Sequence, residues 1–297
     1  MFELIEDILK AKEVKFKKNI SLATLSTIRI GGACEAVIYP DTEEKLIFTL
    51  RLFTGCGIKY KVLGRMSNVL PPDGAFFSVV VKTDAICDIE YEDGLVYSGV
   101  GVSLPVLAGH TARLGLSGLE ELSGIPGSVG GALFGNAGAY GREICELLCS
   151  VRAYLPESDD VITLSSAEMT FGYRDSCFKR GDYILLSARF RLSETDSSSA
   201  MMRIDEYRRK RLVSSPREPS LGSTFKRPVS GYASKMIDEC GLRGSRVGDA
   251  AISEKHAGYI VNLGRATALD VMRLVEIAEN AVYKKFGIRL EREIEYL

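Results

Sequence analysis

The 297-residue chain has no tryptophan and only two histidines, His110 and His256. Two imidazoles cannot build a multi-histidine metal centre, so no metal site is expected. Its charges cancel, 38 Lys and Arg against 39 Asp and Glu, which leaves no basic excess to neutralise a nucleic-acid backbone. The seven cysteines are odd in number and form no C-x-x-C; only Cys145 and Cys149 share a helix-compatible spacing, with no histidine near them. Reduced, mostly buried thiols in a cytoplasm are therefore expected, in place of a disulfide framework. No run approaches the roughly 18 apolar residues of a membrane span. Residues 1–19 mix Glu, Asp and Lys with apolar residues at helical spacing and lack the apolar core of a signal peptide. The chain reads as a cytoplasmic globule with no membrane association and no implied protein partner.

Three familiar signatures can also be dismissed. Gly99-Val100-Gly101 and Gly55-Cys56-Gly57 each lack the third glycine of G-x-G-x-x-G, since Leu104 and Tyr60 stand there. There is no G-x-x-x-x-G-K-[ST]. Ser223-Thr224-Phe225-Lys226 fits S-x-x-K, but that acyl-transfer chemistry wants Ser and Lys one turn apart on a continuing helix, and Pro228 breaks any helix there.

What the chain has is glycine in one place. Nine of its 29 glycines lie between Gly115 and Gly141, around the core Gly124-Ile125-Pro126-Gly127-Ser128-Val129-Gly130-Gly131-Ala132. Such a run exposes backbone N–H groups without side chains in the way, which suits a diphosphate or a flat ring system. Tight turns in a crowded core are the alternative; the density, with Pro126 stiffening the loop, favours a bound phosphate-containing ligand.

The remaining pattern is mixed. A helix is expected within residues 1–19, a strand over 34–39, a helix over 41–53 capped by Asp41 or Thr42, and a strand over 59–63 running into the polar loop Gly64-Arg65-Met66-Ser67-Asn68. Short strands follow over 78–82, 86–91 and 95–100, then a helix over 104–114 ended by Gly115. Strands are expected over 148–154 and 182–192, the latter with Ile184, Leu186, Ala188, Phe190 and Leu192 on one face. Ser193 to Ser199 reads as a linker, followed by a basic helix over 201–212 and a Pro- and Gly-punctuated loop over 214–228. The last helix, 268–286, has a Thr267/Asp270 capping box and an apolar stripe through Val271, Leu274, Val275, Ala278 and Val282. Residues 288–297 alternate. The architecture is α+β with a boundary near residue 195.

Taken singly, the candidate reactive side chains are ambiguous. Arg174, between Tyr173 and Asp175, is either a fixed anion clamp or a solvated ion pair. Ser223 is as readily a turn residue as a site, and Glu293 reads as solvated edge.

Several segments together resemble one family: Ser26-Thr-Ile-Arg29-Ile-Gly-Gly, Val62-Leu-Gly-Arg-Met-Ser-Asn68, the Gly124 to Ala132 run, Asn136-Ala-Gly-Ala-Tyr-Gly, Phe171-Gly-Tyr-Arg-Asp-Ser, Gly222-Ser-Thr-Phe-Lys-Arg-Pro and Ser253-Glu-Lys-His-Ala-Gly-Tyr-Ile-Val-Asn. In order, and nearly throughout the chain, they look like the UDP-N-acetylenolpyruvoylglucosamine reductases of bacterial peptidoglycan synthesis. The resemblance implies a two-subdomain FAD-binding module of the vanillyl-alcohol-oxidase (PCMH) type over 1–82 and 83–195, then a smaller α+β substrate-binding domain over 196–297. It implies FAD as cofactor, NADPH as co-substrate and a nucleotide sugar as substrate. By motif position Arg174 and Glu293 stabilise the charge that hydride addition creates, and Ser223 delivers the proton. FAD falls to Arg29, Gly64, Arg65, Met66, Ser67, Asn68, Gly124, Ile125, Pro126, Gly127, Ser128, Gly131, Gly138 and Ala139. Substrate falls to Tyr173, Arg217, Lys226 and Arg227. The chain departs from the family at Arg65 and Met66, where glycines are usual, and at Ser215, Leu221 and Gly135, which puts cofactor affinity in question. The alternatives are an FAD-dependent oxidase of another alcohol or sugar on the same fold, and a non-catalytic nucleotide-sugar binding protein.

Overall fold

The computed structural model describes residues 2–76, 78–181 and 183–297, apart from the side chains of Glu3 and Leu4. Asp182, with which the predicted 182–192 strand opens, lies outside the described residues, as does Met1 of the predicted N-terminal helix. The chain divides into two compact units that interleave in sequence. The first comprises Met1–Lys18, Glu35–Arg65 and Phe77–Lys210; the second comprises Asn19–Cys34, Met66–Phe76 and Arg211–Leu297.

In the first unit, Ala33–Tyr39, Val79–Lys82 and Tyr60–Leu63 lie side by side as parallel strands, with Val37 opposite Val80 and Lys61 opposite Val80 on the other side. The Glu43–Gly55 helix crosses over between the first and third of these strands, and Thr42 caps it by accepting the Lys45 N–H at 3.2 Å. Leu46, Leu50 and Phe53 from this helix pack on Ala36, Ile38, Val79 and Val81 to form one core. The expected N-terminal helix is shorter than the spacing suggested. It ends at Ala11, Glu13 turns the chain in a left-handed conformation, and Lys15–Ser21 continues as a strand.

A second, antiparallel sheet runs in the order Asp160–Ser165, Leu148–Leu155, Ile184–Arg191, Leu95–Gly99, Ile89–Glu92. Its central strand does not keep one apolar face. Against Leu148–Leu155 the register shifts so that Ser187 faces Arg152 but Leu185 faces Ala153, a bulge at Leu186. A one-residue slip exchanges faces, so Leu186 joins the first core while Ala188 and Phe190 join a second. That second core is filled by Leu104 and Leu107 from the Leu104–Arg113 helix, Val129 and Leu133 from Val129–Phe134, and Ala200 and Ile204 from Ser197–Ser214. The expected linker is therefore structured: Ser193 and Glu194 pair with Ser117 and Leu116, and Asp196 accepts the Ser199 N–H at 2.8 Å at the start of the Ser197–Ser214 helix.

The second unit is a four-stranded sheet, Ser220–Ser223, Tyr259–Asn262, Ala250–Ile252, Arg246–Val247, against the helices Ala233–Glu239 and Ala268–Phe286. The loop expected over 214–228 thus contains a strand. The long helix buries Val271, Leu274, Val275, Ala278 and Val282, and Ile28, Leu70 and Ile294 complete its core. Of the alternating C-terminus, Glu295–Tyr296 pairs in parallel with Val69–Leu70.

Candidate active site

Parallel strands end where a phosphate-bearing ligand can approach, and in the first unit the Tyr60–Leu63 strand runs into Gly64 and Arg65. A Cβ on Gly64 would overlap the Ser128 hydroxyl, so a larger residue there would have to turn that hydroxyl away from the Gly131 N–H. Ser128 is buried and accepts the Gly131 N–H at 3.3 Å. Its loop is laced to residues 100–104: Leu104 N–H donates to Gly127 O at 3.0 Å, Val129 N–H to Val102 O at 2.8 Å and Gly130 N–H to Val100 O at 2.9 Å. A Cβ on Gly130 would lie 3.0 Å from the Val100 Cβ. Ser123, directly before the Gly124 run, carries a buried hydroxyl without a hydrogen-bond partner.

A residue the sequence reading overlooked sits under this loop. Lys82 closes the Val79–Lys82 strand with only 2% of its surface exposed; its ammonium donates to Gly64 O and lies 3.0 Å from an Asp84 carboxylate oxygen. Burial pulls its pKa down, the Asp84 charge opposes that, and the Arg65 charge adds to it. The signal was present as a lone charge ending an apolar run, but a strand-terminal lysine ordinarily reads as solvated. With an exposed Arg65 outside and Lys82 beneath, the Gly64 and Ser128 loops have the free backbone, small side chains and positive charge that fit a diphosphate-bearing cofactor. Ile125 and Pro126 belong to the same loop; Ile125 N–H donates to Leu122 O at 3.0 Å, and Pro126 is exposed.

The same unit places Gly138, Ala139 and Arg174 together. Gly138–Ala139 pairs with Arg142–Glu143, and a Cβ on Gly138 would lie 2.9 Å from Arg142 O and 3.1 Å from the Arg174 Nη1. Arg174, in a left-handed conformation, donates from Nη2 to Gly138 O at 2.7 Å and from Nη1 to Asn136 O at 3.4 Å. Asn136 is fully buried and donates to both Glu143 Oε2 at 2.8 Å and Gly172 O at 2.9 Å, tying the glycine loop to the turn that carries Arg174. Tyr173 is half exposed, its ring 5.1 Å from the Arg174 guanidinium. Arg174 is thus a cation held by backbone carbonyls.

In the second unit, Ser223 ends its strand opposite Tyr259, after Gly222 in a left-handed conformation at φ +81°. Thr224 N–H donates to Gly258 O at 2.8 Å, and Thr224 O accepts the Glu293 N–H at 2.9 Å. Phe225 bridges to Arg292, and Lys226 N–H donates to Glu291 O at 2.8 Å. Thr224, the residue after Ser223, is therefore paired with Glu293 across a short antiparallel pairing. Lys226 forms an ion pair with Glu291 at 2.5 Å, and Arg227 stacks on Tyr232 at 4.1 Å. Arg217 is exposed and lines a different cleft of about 330 Å³ with Arg246 and Lys255. Arg29 is exposed in a left-handed turn. Met66 O accepts the Thr27 N–H at 3.4 Å, and Asn68 lies against residues 293 and 295. Ser67 is half-buried. Among the described residues no group of His, Cys, Asp and Glu could hold a metal ion, and no helix is long and apolar enough to cross a membrane.

Known proteins resemble this chain along its whole length. Residues 34–165 match the model of an FAD binding domain, and residues 215–297 match that of the UDP-N-acetylenolpyruvoylglucosamine reductase C-terminal domain. The UDP-N-acetylenolpyruvoylglucosamine reductase of Caldicellulosiruptor bescii is 38% identical over 295 residues, covering 98% of this chain and 94% of its own. That of Carboxydothermus hydrogenoformans is 39% identical over 297 residues, covering 99% and 98%. The crystal structure of UDP-N-acetylenolpyruvylglucosamine reductase (MurB) from Thermus caldophilus superposes with a TM-score of 0.79 at 34% identity, covering 95% of this chain and 98% of that one. An alkyldihydroxyacetonephosphate synthase shares the fold over 65% of this chain at 17% identity and a TM-score of 0.50, covering 40% of its own length. With family-level identity along its whole length, and the FAD-binding module and reductase C-terminal domain both present, the chain belongs to the UDP-N-acetylenolpyruvoylglucosamine reductases, FAD-containing oxidoreductases of peptidoglycan synthesis.

Proposed function

We propose that the chain uses NADPH to reduce the enolpyruvyl ether of UDP-N-acetylglucosamine to the lactyl ether of UDP-N-acetylmuramate, in the cytoplasm. The observation that carries this reading is the pairing of the segment bearing Ser223 with the segment bearing Glu293, through the Glu293 N–H and Thr224 O at 2.9 Å. FAD, which the Gly64 and Ser128 loops would hold, would supply two-electron hydride chemistry between NADPH and the substrate.

The residues of the chain have the remaining work. Hydride addition at the methylene leaves negative charge on the adjacent carbon and its carboxylate, an enolate-like species. Arg174 stabilises that charge as a guanidinium fork held by the Gly138 and Asn136 carbonyls. Glu293 stabilises it as a hydrogen-bond donor, a role only the protonated carboxyl can fill. Ser223 gives its hydroxyl proton to the carbon. A serine hydroxyl is a weak acid, so the transfer requires a strongly basic acceptor and a fixed donor; the Tyr259 pairing and the left-handed Gly222 set the backbone that fixes it. Lys226, Arg227 and Arg217 are proposed partners of the anionic groups of the nucleotide sugar, and Tyr173 packs beside it. Lys226 must exchange its Glu291 partner to do so.

Ser223→Ala tests the proton-donor role. Followed anaerobically by absorbance near about 450 nm, bleaching by NADPH stays within a factor of two of wild type, while recovery on adding the enolpyruvyl substrate slows by at least about 10²-fold, the usual worth of a positioned proton donor. Equal slowing of both steps would refute the role.

A further inference from the structure

Asn68 stands in the loop that the resemblance gives to the cofactor, but its carboxamide is engaged elsewhere. Nδ2 donates to Glu293 O at 2.8 Å, and Asn68 O accepts the Glu295 N–H at 2.9 Å. On its other side Glu293 donates its N–H to Thr224 O at 2.9 Å. The backbone at 293 is thus held twice, once by the segment that carries Ser223 and once by the Asn68 side chain. Its neighbours are anchored independently. Arg292 makes a two-point pair with Glu279 at 2.6 and 2.8 Å, and Ile294 is 5% exposed within the core of the second unit. Between these anchors the Asn68 carboxamide donates to the oxygen of the 293–294 peptide plane, whose orientation sets the backbone from which the Glu293 side chain departs. The strand that follows, Glu295–Tyr296, has only two residues, a short ladder to hold the segment.

We infer that Asn68 is a positioning residue for Glu293: its carboxamide fixes the 293–294 peptide plane and so aims the carboxyl. This rests on the reading of Glu293 as a charge-stabilising group. It also distinguishes two roles for one residue, since a cofactor ligand affects FAD affinity, whereas a positioning residue affects only the step in which Glu293 acts. The anchors at Arg292 and Ile294 do not involve Asn68, so its loss leaves the fold standing.

The test compares Asn68→Ala, Asn68→Asp, Glu293→Gln and the double variant N68A/E293Q as FAD-loaded enzymes, with thermal melting as a control for folding. Asp keeps the size of Asn but cannot donate to a carbonyl. Expected for both Asn68 variants are FAD dissociation constants within about threefold of wild type, an unchanged NADPH-driven step, and substrate-driven recovery of absorbance slowed about tenfold or more. Expected for N68A/E293Q is a rate no slower than E293Q alone, because a residue acting through Glu293 has nothing left to position. The inference is overturned by weakened FAD binding with an unaltered substrate step, by equal slowing of both steps, or by multiplicative effects in the double variant. If E293Q alone leaves the substrate step unchanged, the role of Glu293 is what fails, and that of Asn68 falls with it.

Discussion

His256 is one of two imidazoles in the chain, and its Nδ1 accepts the Gly258 N–H at 3.1 Å while its ring meets Tyr259 edge to face at 5.0 Å. Burial holds its pKa below the ordinary histidine value, and the charge of Arg243 acts in the same direction. The sign follows from linkage: with the lower pKa in the folded state, the unfolded chain takes up the proton first. The stabilisation is complete above about pH 6.5 and is lost as pH falls below it. His256→Asn keeps a side-chain acceptor near Gly258 N–H but cannot be protonated in this range. Melting temperatures measured from pH 7.5 to 5 should fall less steeply for this variant than for wild type, and parallel curves would exclude the effect. At this scale the sequence alone said little. Glu293 alternates with charged neighbours like any solvated strand edge, and its backbone pairing with Thr224, the residue after Ser223, could not be read from that pattern. Lys82 was hidden for another reason, since a lone lysine closing an apolar strand ordinarily reads as solvated, whereas this ammonium turns inward to a carbonyl.

The Ala268–Phe286 helix was the most legible element. Its stripe of Val271, Leu274, Val275, Ala278 and Val282 is buried as the spacing required, and Gly287 ends it in a left-handed conformation at φ +70°. Thr267 and Asp270 make the reciprocal capping pair: Asp270 N–H donates to Thr267 Oγ1 and Thr267 N–H to Asp270 Oδ2, both at 3.0 Å. Asp73 could not be read in the same way. It lies 195 positions before Ala268, yet its carboxylate accepts the Ala268 N–H at 2.6 Å and the Leu269 N–H at 3.1 Å. One helix start is therefore capped from two places in the chain, with a negative charge at the favourable end. Asp73→Ala should lower unfolding free energy by about 1–2 kcal/mol, and Asp73→Asn, which keeps an acceptor, by less. Urea titration checks this, and equal losses for the two would show that side-chain acceptance is not the cause. Elsewhere element-level prediction failed for identifiable reasons. The 182–192 pattern assumed uninterrupted alternation, and the bulge at Leu186 moved that side chain into a different core from Ala188 and Phe190. The serine-rich 193–199 segment looked like a linker by composition, but Asp196 converts it into the start of a helix.

Composition along a chain is linear, whereas the two compact units draw on interleaved segments; residues 19–34 and 66–76 pack with the C-terminal sheet and helices. A change in residue usage near 195 carries no trace of that. The clustering of nine glycines over 115–141 was more informative, because close backbone approach at Gly130 and Gly138 is a property of the glycines themselves. With a net charge of only -1 on the chain, the proposed function gives the meeting of anionic ligands to the local cations Arg174, Lys226 and Arg227. These features converge on one central claim, that the chain is a reductase acting on an enolpyruvyl nucleotide sugar. The most direct measurement mixes FAD-loaded protein, NADPH and UDP-N-acetylglucosamine enolpyruvate without oxygen, following NADPH by absorbance and the sugar by mass. The account predicts NADPH consumption equal to substrate added, with the lactyl ether formed in the same amount. NADPH loss no faster than without substrate, with the enolpyruvyl ether recovered intact, would contradict it.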